Sequence, residues 1–324
     1  MLSTGSSNDR TWLDARIIEK QLIAEDIMHF VLESASDQPL PPFTPGAHID
    51  VDLAGQAIRQ YSLCNGPKQP GRYEIAVKYE RGGRGGSRCA HQLLQRSDVI
   101  RIGQPRNAFS LTPARHTVLI AGGIGITPIM SMAEHLAAAG ASFELHYCTR
   151  GPQACAFLQR LKDAAYASRV RFYHKDGGDR LDVRATLAAQ GADTHLYVCG
   201  PGGFMQSVID TAASLGWDAA RLHHECFSAP APASAPGRGF EVVIASSGLV
   251  VQVPDDQTIV AALAAQGVHL PVSCEQGICG TCIVGILDGT PDHRDAVLSE
   301  AERGSNRFTP CCSRAKSARL VLDL

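Results

Sequence analysis

The sequence lacks an excess of charge of either sign. Its 30 Lys and Arg residues oppose 32 Asp and Glu residues, which leaves a formal net charge of −2 and a pI near 6.6. Proteins that bind nucleic acid or anionic membrane surfaces carry a clustered positive charge instead. We therefore predict no nucleic-acid partner and no membrane partner.

Long apolar segments are also missing. A membrane-spanning helix needs about 18 or more consecutive apolar residues, and no such run occurs in the 324 residues. The N-terminal residues MLSTGSSNDRTWLD do not show the basic segment and apolar stretch of a secretory signal. We expect a cytoplasmic protein, and the length suffices for two or three domains.

Cysteine, in contrast, is abundant, with 11 residues. In a reducing compartment, clustered cysteines are typical of metal ligands and scattered ones of small buried side chains. Four of the cysteines fall in a ligand-like pattern near the C-terminus. We predict a packing role for most of the scattered ones, which are Cys64, Cys89, Cys148, Cys155, Cys199 and Cys226.

Composition and pattern divide the chain into domains. Residues 228–239, SAPAPASAPGRG, have almost no large apolar side chain and predict a linker. Short apolar or alternating runs separated by Gly and Pro turns over residues 1–112 predict an antiparallel barrel or sandwich. Strand and helix patterns alternate over residues 113–227, which predicts a parallel sheet with helices on both faces. Residues 240–324 show a hairpin, one helix over Thr258–Gly267 and a closing strand.

The strongest motif is PVSCEQGICGTCIVGI, in which Cys274, Cys279 and Cys282 follow the spacing C-x4-C-x2-C. This is the plant-type spacing for a 2Fe–2S cluster, which needs four thiolates. Spacing alone leaves the fourth ligand open between Cys311 and Cys312; if the two lay in a strand, they would face opposite sides. A structural zinc site fits less well, because zinc ribbons usually pair two CxxC knuckles.

Two glycines of this loop, Gly277 and Gly280, are expected to adopt positive φ angles. Glycine does so without strain. The missing side chains would also let backbone N–H groups approach the cluster sulfurs.

A glycine-rich turn lies between a predicted strand and a predicted helix in VLIAGGIGITPIMSM. Such a turn lets a pyrophosphate approach the helix N-terminus, although it does not match the GxGxxG fingerprint. We expect Thr127 to cap the helix and Pro128 to occupy its first position. The glycines concerned are Gly122, Gly123 and Gly125.

A second strand ends in CGPGGFM (199–205). In a parallel sheet both turns lie at the carboxyl edge, where ligands bind. Cys199 is therefore expected at the mouth of the cleft, near a bound nicotinamide, with burial in the strand as the alternative.

The segment RQYSLCN places Arg59, Tyr61 and Ser62 on one short strand. These side chains suit a phosphate, a ring system and a polar ring edge, respectively. GRGGS (83–87) is predicted to be a flexible loop with backbone donors for a second phosphate contact.

Together these motifs resemble a known family. RxYS, GRGGS, AGGIGITP, CGP, HECF (224–227) and the C-x4-C-x2-C domain occur in this order, as they do in the phthalate dioxygenase reductase and vanillate demethylase reductase family. The resemblance implies a multidomain β, α/β and α+β fold. Its parts are an antiparallel flavin-binding β-barrel (1–112), a parallel-sheet nucleotide-binding domain (113–227), the linker and a β-grasp ferredoxin-like domain (240–324).

The resemblance also implies residue roles. The fourth cluster ligand would be Cys311, which aligns with the family's C-x-S-R-A. Glu225 and Phe227 would lie by the isoalloxazine, with Phe227 covering the ring until nicotinamide displaces it; together with Ser62 and Cys199 they form the implied catalytic group. FMN would be bound by Arg59, Tyr61, Ser62, Gly85, Gly86 and Ser87. The nicotinamide nucleotide would be bound by Gly123, Thr127, Cys199, Gly200 and Pro201.

The implied function is that of an NADH-dependent reductase component of a Rieske-type aromatic-ring oxygenase or O-demethylase system. It would take hydride from NADH onto FMN and pass single electrons through the cluster to the terminal oxygenase, with a monomeric state expected. NADH is favoured because CTRGPQ offers only Arg150 as a basic residue. The alternatives are a stand-alone reductase for another one-electron acceptor, a non-catalytic redox sensor, and a dehydrogenase with a zinc module.

Overall fold

The computed structural model describes residues 11–69, 71–83, 85–227 and 239–324. These form two compact units, one ending at Phe227 and the other running to Leu324. Within the described ranges, no helix has the length and apolar character needed to cross a bilayer. The predicted linker lies outside the described residues except for Gly239.

The first unit begins with a six-stranded antiparallel sheet whose strand order is β4-β3-β6-β1-β2-β5. An isolated bridge between Leu63 and Ile75 joins its two edges and closes a barrel, as predicted. Alternate side chains fill the interior; in β1, for example, Ala15 and Ile17 are fully buried. The strands are β1 (Trp12–Ala24), β2 (Ile27–Ser34), β3 (His48–Asp52), β4 (Ile58–Ser62), β5 (Arg72–Lys78) and β6 (Val99–Gly103).

A short helix, α1 (Gly86–Gln92), lies between β5 and β6. Gly85 precedes it with φ 88°, a conformation that favours glycine. Lys20 Nζ donates to the carbonyl oxygens of His91 and Leu94 at its other end, both at 2.7 Å. The prediction of a flexible loop at GRGGS is therefore wrong at Gly86 and Ser87, which form the first turn of this helix.

The second half of the first unit is a five-stranded sheet, in the order β11-β10-β7-β8-β9, with every pair parallel. Its strands are β7 (His116–Gly122), β8 (Phe143–Thr149), β9 (Val170–His174), β10 (Thr194–Cys199) and β11 (Leu222–Glu225). Its helices are α2 (Ile126–Ala138), α3 (Leu158–Asp163), α4 (Val183–Ala188) and α5 (Gly202–Ser214).

Alternate residues of β7 enter two different cores. Leu119 packs in the core that contains Ile129 of α2. Val118 and Ile120 pack in the other core, which contains Val208 of α5. This is the alternation expected of a strand covered on both sides, and it confirms the predicted helices on both faces.

The turn after β7 differs in detail from the prediction. A 3-10 turn over Gly123–Gly125 leads into α2, and Gly123 has φ 55°. The helix then starts at Ile126, so that Pro128 is its third residue and not its first. Thr127 does not cap the helix; its hydroxyl donates to the carbonyl of Ile124 at 3.1 Å.

The second unit is built on a mixed five-stranded sheet, in the order β13-β12-β18-β14-β16, with one small sheet beside it formed by β15 and β17. Only the β12–β18 pair of the larger sheet is parallel. The predicted hairpin and closing strand are confirmed as β12–β13 and β18. The strands are β12 (Phe240–Ile244), β13 (Val250–Val253), β14 (Val284–Asp288), β15 (Pro291–Asp292), β16 (Arg307–Phe308), β17 (Arg314–Ala315) and β18 (Arg319–Asp323).

Two helices accompany this sheet, α6 (Ile259–Ala265) and α7 (Glu300–Gly304). The Thr258 side chain caps α6 by accepting from the backbone N–H of Ala261. Ser299 and Glu302 form a capping box at the start of α7, which satisfies backbone donors that the helix leaves free.

Candidate active site and iron–sulfur site

The ends of two distant strands meet through a pair of polar side chains. Ser62 is the last residue of β4 in the barrel, and Glu225 is the last residue of β11 in the parallel sheet. The Ser62 hydroxyl donates to Glu225 Oε2 at 3.4 Å. Burial of the carboxyl group raises the pKa of Glu225 to about 8, and the hydrogen bond from Ser62 only partly offsets this. The raised pKa favours the protonated, neutral form of the Glu225 carboxyl group near pH 7.

Cys199 lies beside Glu225. It ends β10, and the register pairs it with Glu225 on one side and with Ala121 on the other. Its side chain is fully buried. Burial, and then the neighbouring Glu225 carboxyl, raise the pKa of the Cys199 thiol well above its ordinary range. Cys199 is thus an uncharged thiol packed in the core, which is the burial stated as the alternative to a place at the mouth of the cleft, and a protonated thiol is a poor nucleophile.

The two glycine-containing turns of the parallel sheet touch each other. A Cβ atom added to Gly125 would lie 2.2 Å from the carbonyl oxygen of Cys199. One added to Gly200 would lie 3.0 Å from the Cα of Gly122. Pro201 then precedes the first residue of α5. Glycine is required here because the backbones approach so closely, and the pair forms the carboxyl edge of the sheet, where ligands bind.

Two further predicted residues have different surroundings. Thr127 is buried, and its hydroxyl is occupied by the Ile124 carbonyl. Phe227, two residues beyond Glu225, retains 36% exposure for so large an apolar side chain.

The predicted flavin residues of the barrel form a second group on β4. Burial raises the pKa of the Tyr61 hydroxyl above its ordinary range, although the nearby Arg59 opposes the shift. The Arg59 side chain lies so close to the first turn of α1 that a Cβ on Gly86 would be 2.8 Å from its Nε. Ser87 accepts a hydrogen bond from the Glu80 backbone N–H at 3.0 Å. A guanidinium group beside a helix start and a partly buried phenol ring fit a flavin with a phosphate tail.

In the second unit, the predicted ligand cysteines lie together. These thiols lie near enough to shift one another's pKa values: Cys311 interacts with Cys274 and Cys282, and Cys274 interacts with Cys279. Gly277 and Gly280 have φ angles of 72° and 71°, so the predicted positive angles are confirmed. Three thiols from this loop and a fourth from the turn before β17 fit a 2Fe–2S cluster.

Cys312 contacts the Cys311 thiol but otherwise packs differently. Its Sγ lies 2.3 Å from the position that a Cβ on Gly277 would take and 3.8 Å from the Thr309 carbonyl oxygen. The expectation of opposite faces in a strand does not apply, because both cysteines lie in a turn before β17.

Sequence reasoning did not identify the segment that covers the cluster loop. The backbone N–H groups of Ala296 and Val297 donate to the Gly277 carbonyl at 3.0 and 3.2 Å. The buried Asp295 carboxylate accepts from the Leu298 N–H at 2.9 Å and pairs with Arg303. The motif PDHRDAVLS contains this segment, but the sequence alone did not show that the segment contacts the cluster loop.

Comparison with protein families agrees with this arrangement. Residues 14–111 match the oxidoreductase FAD-binding domain, and residues 242–316 match the 2Fe–2S iron–sulfur cluster binding domain. Residues 105–222 match the N-terminal domain of the dimethylamine monooxygenase subunit DmmA-like family.

Whole-chain relatives decide the family. The vanillate O-demethylase oxidoreductase of Pseudomonas sp. (strain HR199 / DSM 7063) is 50% identical, over 96% of this chain and 100% of its own. The solved structure of phthalate dioxygenase reductase superposes with a TM-score of 0.78 at 38% identity, covering 97% of this chain and 98% of that one. The chain belongs to the vanillate O-demethylase and phthalate dioxygenase reductase family.

The family is not limited to one oxygenase. The carnitine monooxygenase reductase subunit of Escherichia coli is 38% identical over 98% of this chain and 100% of its own. Phthalate dioxygenase reductase is described as a modular structure for electron transfer from pyridine nucleotides to a 2Fe–2S cluster. As a member of this family with both domain matches, the present chain is a flavin and iron–sulfur oxidoreductase, the reductase component of an oxygenase system.

Proposed function

We propose that this reductase takes a hydride from NADH onto FMN and delivers single electrons through its 2Fe–2S cluster to a Rieske-type terminal oxygenase of aromatic degradation. The supporting observation is the meeting of Ser62, Glu225 and Cys199. Ser62 belongs to the strand with the flavin motif, and the other two end adjacent strands at the carboxyl edge of the nucleotide sheet. A flavin ring and a nicotinamide ring bound by these motifs would therefore meet at one place.

The protein residues at that place have positioning roles. When bound, the flavin accepts two electrons from a nicotinamide and releases them one at a time, which matches a two-electron donor to a one-electron cluster. Ser62 offers a hydroxyl beside the ring edge, and Glu225 accepts from that hydroxyl as a neutral acid. The uncharged thiol of Cys199 is buried beside Glu225 at the end of the adjacent strand. These groups orient the reactants and exclude water.

Four cysteines would hold the cluster, namely Cys274, Cys279, Cys282 and Cys311. Contacts of the Cys311 thiol with two of the others favour it over Cys312. The thiolate ligands and the backbone donors around Gly277 would together set the electrostatic environment of the cluster.

Two finer assignments belong to the proposal. FMN is proposed over FAD from the resemblance at Arg59, Tyr61, Ser62 and Gly85–Ser87, and NADH over NADPH because Arg150 is the lone arginine that follows β8 in CTRGPQ. Chromatography of the flavin released by heat, and comparison of kcat/KM for the two nucleotides, test both. FAD as the released flavin, or a higher kcat/KM with NADPH, would contradict the respective assignment.

The partner is tested by reconstitution. The purified protein with NADH should support turnover by a Rieske-type aromatic oxygenase and should also reduce cytochrome c. Reduction of cytochrome c without support for any such oxygenase would refute the partner. The monomeric state and the cytoplasmic location stay predictions.

A further inference from the structure

A buried carboxylate outside the proposed active site is surrounded by nitrogen donors of three side chains. The Glu74 side chain on β5 is 5% exposed. It accepts from His29 Nε2 at 3.1 Å, Arg72 Nε at 3.1 Å and Arg160 Nη1 at 2.6 Å. Burial opposes ionisation of Glu74, but His29 and Arg160 lower its pKa to about 2. Glu74 is therefore an anion held by the protein.

Arg160 reaches a second carboxylate with the other arm of its guanidinium group. Its Nη2 donates to Glu134 Oε1 at 2.6 Å. Arg160 lies on α3, Glu134 on α2 and Glu74 on β5. The planar fork of an arginine makes two such bonds in fixed directions, which the single ammonium group of a lysine does not reproduce. Arg160 thus links the barrel to a helix of the nucleotide sheet.

One end of this link is tied to the strand that carries Ser62. The Glu74 carbonyl accepts from the backbone N–H of Cys64 at 2.9 Å. The Glu74 backbone N–H donates to Asn65 Oδ1 at 3.0 Å. Cys64 is only two residues beyond Ser62, so a shift of Glu74 moves the end of β4.

The other end is tied to the nucleotide turn. Glu134 belongs to α2, and the first residues of that helix follow directly from the 3-10 turn at Gly123–Gly125. A helix moves as a rigid element, so a shift of Glu134 moves that turn as well. In the proposed function, the strand with Ser62 binds the flavin and the turn at Gly123–Gly125 binds the nicotinamide nucleotide.

We propose that Arg160 is a positioning residue for hydride transfer, which sets the spacing between the flavin strand and the nicotinamide-nucleotide turn by bridging Glu74 and Glu134. The inference rests on the proposed function. His29, Cys64 and Glu74 also offer three possible metal-ligand atoms close together. We assign this group of residues to positioning and not to metal binding, because the guanidinium groups of Arg72 and Arg160 already neutralise the Glu74 carboxylate.

The test uses the flavin-loaded full chain and rapid mixing with NADH. Arg160→Gln removes the bridge, and Arg160→Lys keeps the charge without the fork. Arg169→Gln is the matched control, since Arg169 donates to the Ala141 carbonyl in the same sheet domain and bridges no carboxylates among the described residues. Flavin content and the unfolding temperature are measured for each variant.

We expect the limiting rate of flavin reduction to fall about tenfold to a hundredfold in Arg160→Gln, because misplacement by about 1 Å costs up to about 100-fold. The apparent Kd for NADH should change less than about threefold, and the isotope effect with C4-deuterated NADH should rise as hydride transfer becomes limiting. The limiting rate of flavin reduction in Arg160→Lys should lie between those of the wild type and Arg160→Gln, and the rate in Arg169→Gln should match that of the wild type.

Wild-type rates in flavin-loaded Arg160→Lys and Arg160→Gln would overturn the inference. So would a rate loss that follows flavin loss in both variants. If Arg160→Gln does not fold, Arg160→Lys alone decides. Failure of the proposed function would be distinguishable, because NADH would then not reduce the flavin of the wild-type protein.

Discussion

At the residue scale, the protonation of the partly buried Glu225 carboxyl group depends on its surroundings. Its folded pKa is about 8, against an ordinary value of 4.5. Between these two pH values the unfolded chain loses this proton and the folded protein retains it. The group therefore lowers the free energy of unfolding as pH rises through that window.

Glu225→Gln should remove this pH dependence. Each unit of pKa shift corresponds to about 1.4 kcal/mol, so the wild type should lose a few kcal/mol more than the variant between pH 5 and pH 8. Denaturant unfolding at the two pH values measures the difference. The exposed Glu33→Gln serves as the control and should behave like the wild type. An equal pH dependence in wild type and Glu225→Gln would contradict the neutral state of Glu225.

The adjacent cysteines give a second residue-level prediction. Cys311→Ser should lose most of the cluster, because the Cys311 thiol contacts Cys274 and Cys282. Cys312→Ser should retain it, since the Cys312 sulfur packs against Gly277. Iron and sulfide content and the visible spectrum distinguish the variants. The opposite pattern would assign the ligand role to Cys312.

At the scale of structural elements, the contact between two turns depends on Gly125. A Cβ there would lie 2.2 Å from the Cys199 carbonyl oxygen, although the backbone conformation, with φ −61°, suits alanine. Gly125→Ala should therefore separate the turns, with an overpacking cost of about 1–3 kcal/mol, and should weaken NADH binding about tenfold or more.

Titration of NADH binding measures this effect. Gly203→Ala is the matched control, because Gly203 lies in the first turn of α5 and nothing is within 4 Å of its added Cβ. Equal affinities in the two variants would show that the contact between the turns does not shape the nucleotide site.

The cluster loop is a second element whose shape depends on glycine. Gly277 has φ 72°, and its Cβ would meet the Cys312 sulfur at 2.3 Å and the Asp295 Cα at 2.9 Å. We expect Gly277→Ala to reduce iron content by half or more. Gly267→Ala separates the two causes, because Gly267 has φ 78° but open space around it. Equal iron content in both variants would show that the close packing is unimportant.

At the scale of the whole molecule, the described residues form two units with cores of their own. A chain divided within residues 228–238 should therefore give two fragments that fold. The fragment ending at 227 should keep its flavin and NADH-dependent ferricyanide reduction, and the C-terminal fragment should hold the iron. Neither fragment alone should support the oxygenase. An N-terminal fragment that loses its flavin would refute this division.

Several features could be predicted from local sequence because they depend on local physics. The spacing of Cys274, Cys279 and Cys282 reflects the geometry of one loop, and Gly277 and Gly280 reflect the freedom of glycine to adopt positive φ. The alternation of strand and helix patterns over residues 113–227 likewise indicated the parallel sheet, because the spacing of apolar residues differs between a buried strand and a helix with one buried face.

Other features depend on contacts between distant parts of the chain. Ser62 and Glu225 are separated by 163 positions, and the raised pKa of Glu225 arises only when folding buries its carboxyl group. The helix at Gly86, the start of α2 before Thr127 and the bridge made by Arg160 also needed the folded structure. For the Ser62–Glu225 pair and the Arg160 bridge, no short window of sequence contains the partner residues, so only the folded structure brings them together. The sequence by itself determined the cofactor motifs and the order of the domains, and only the tertiary structure decided which side chains meet between them.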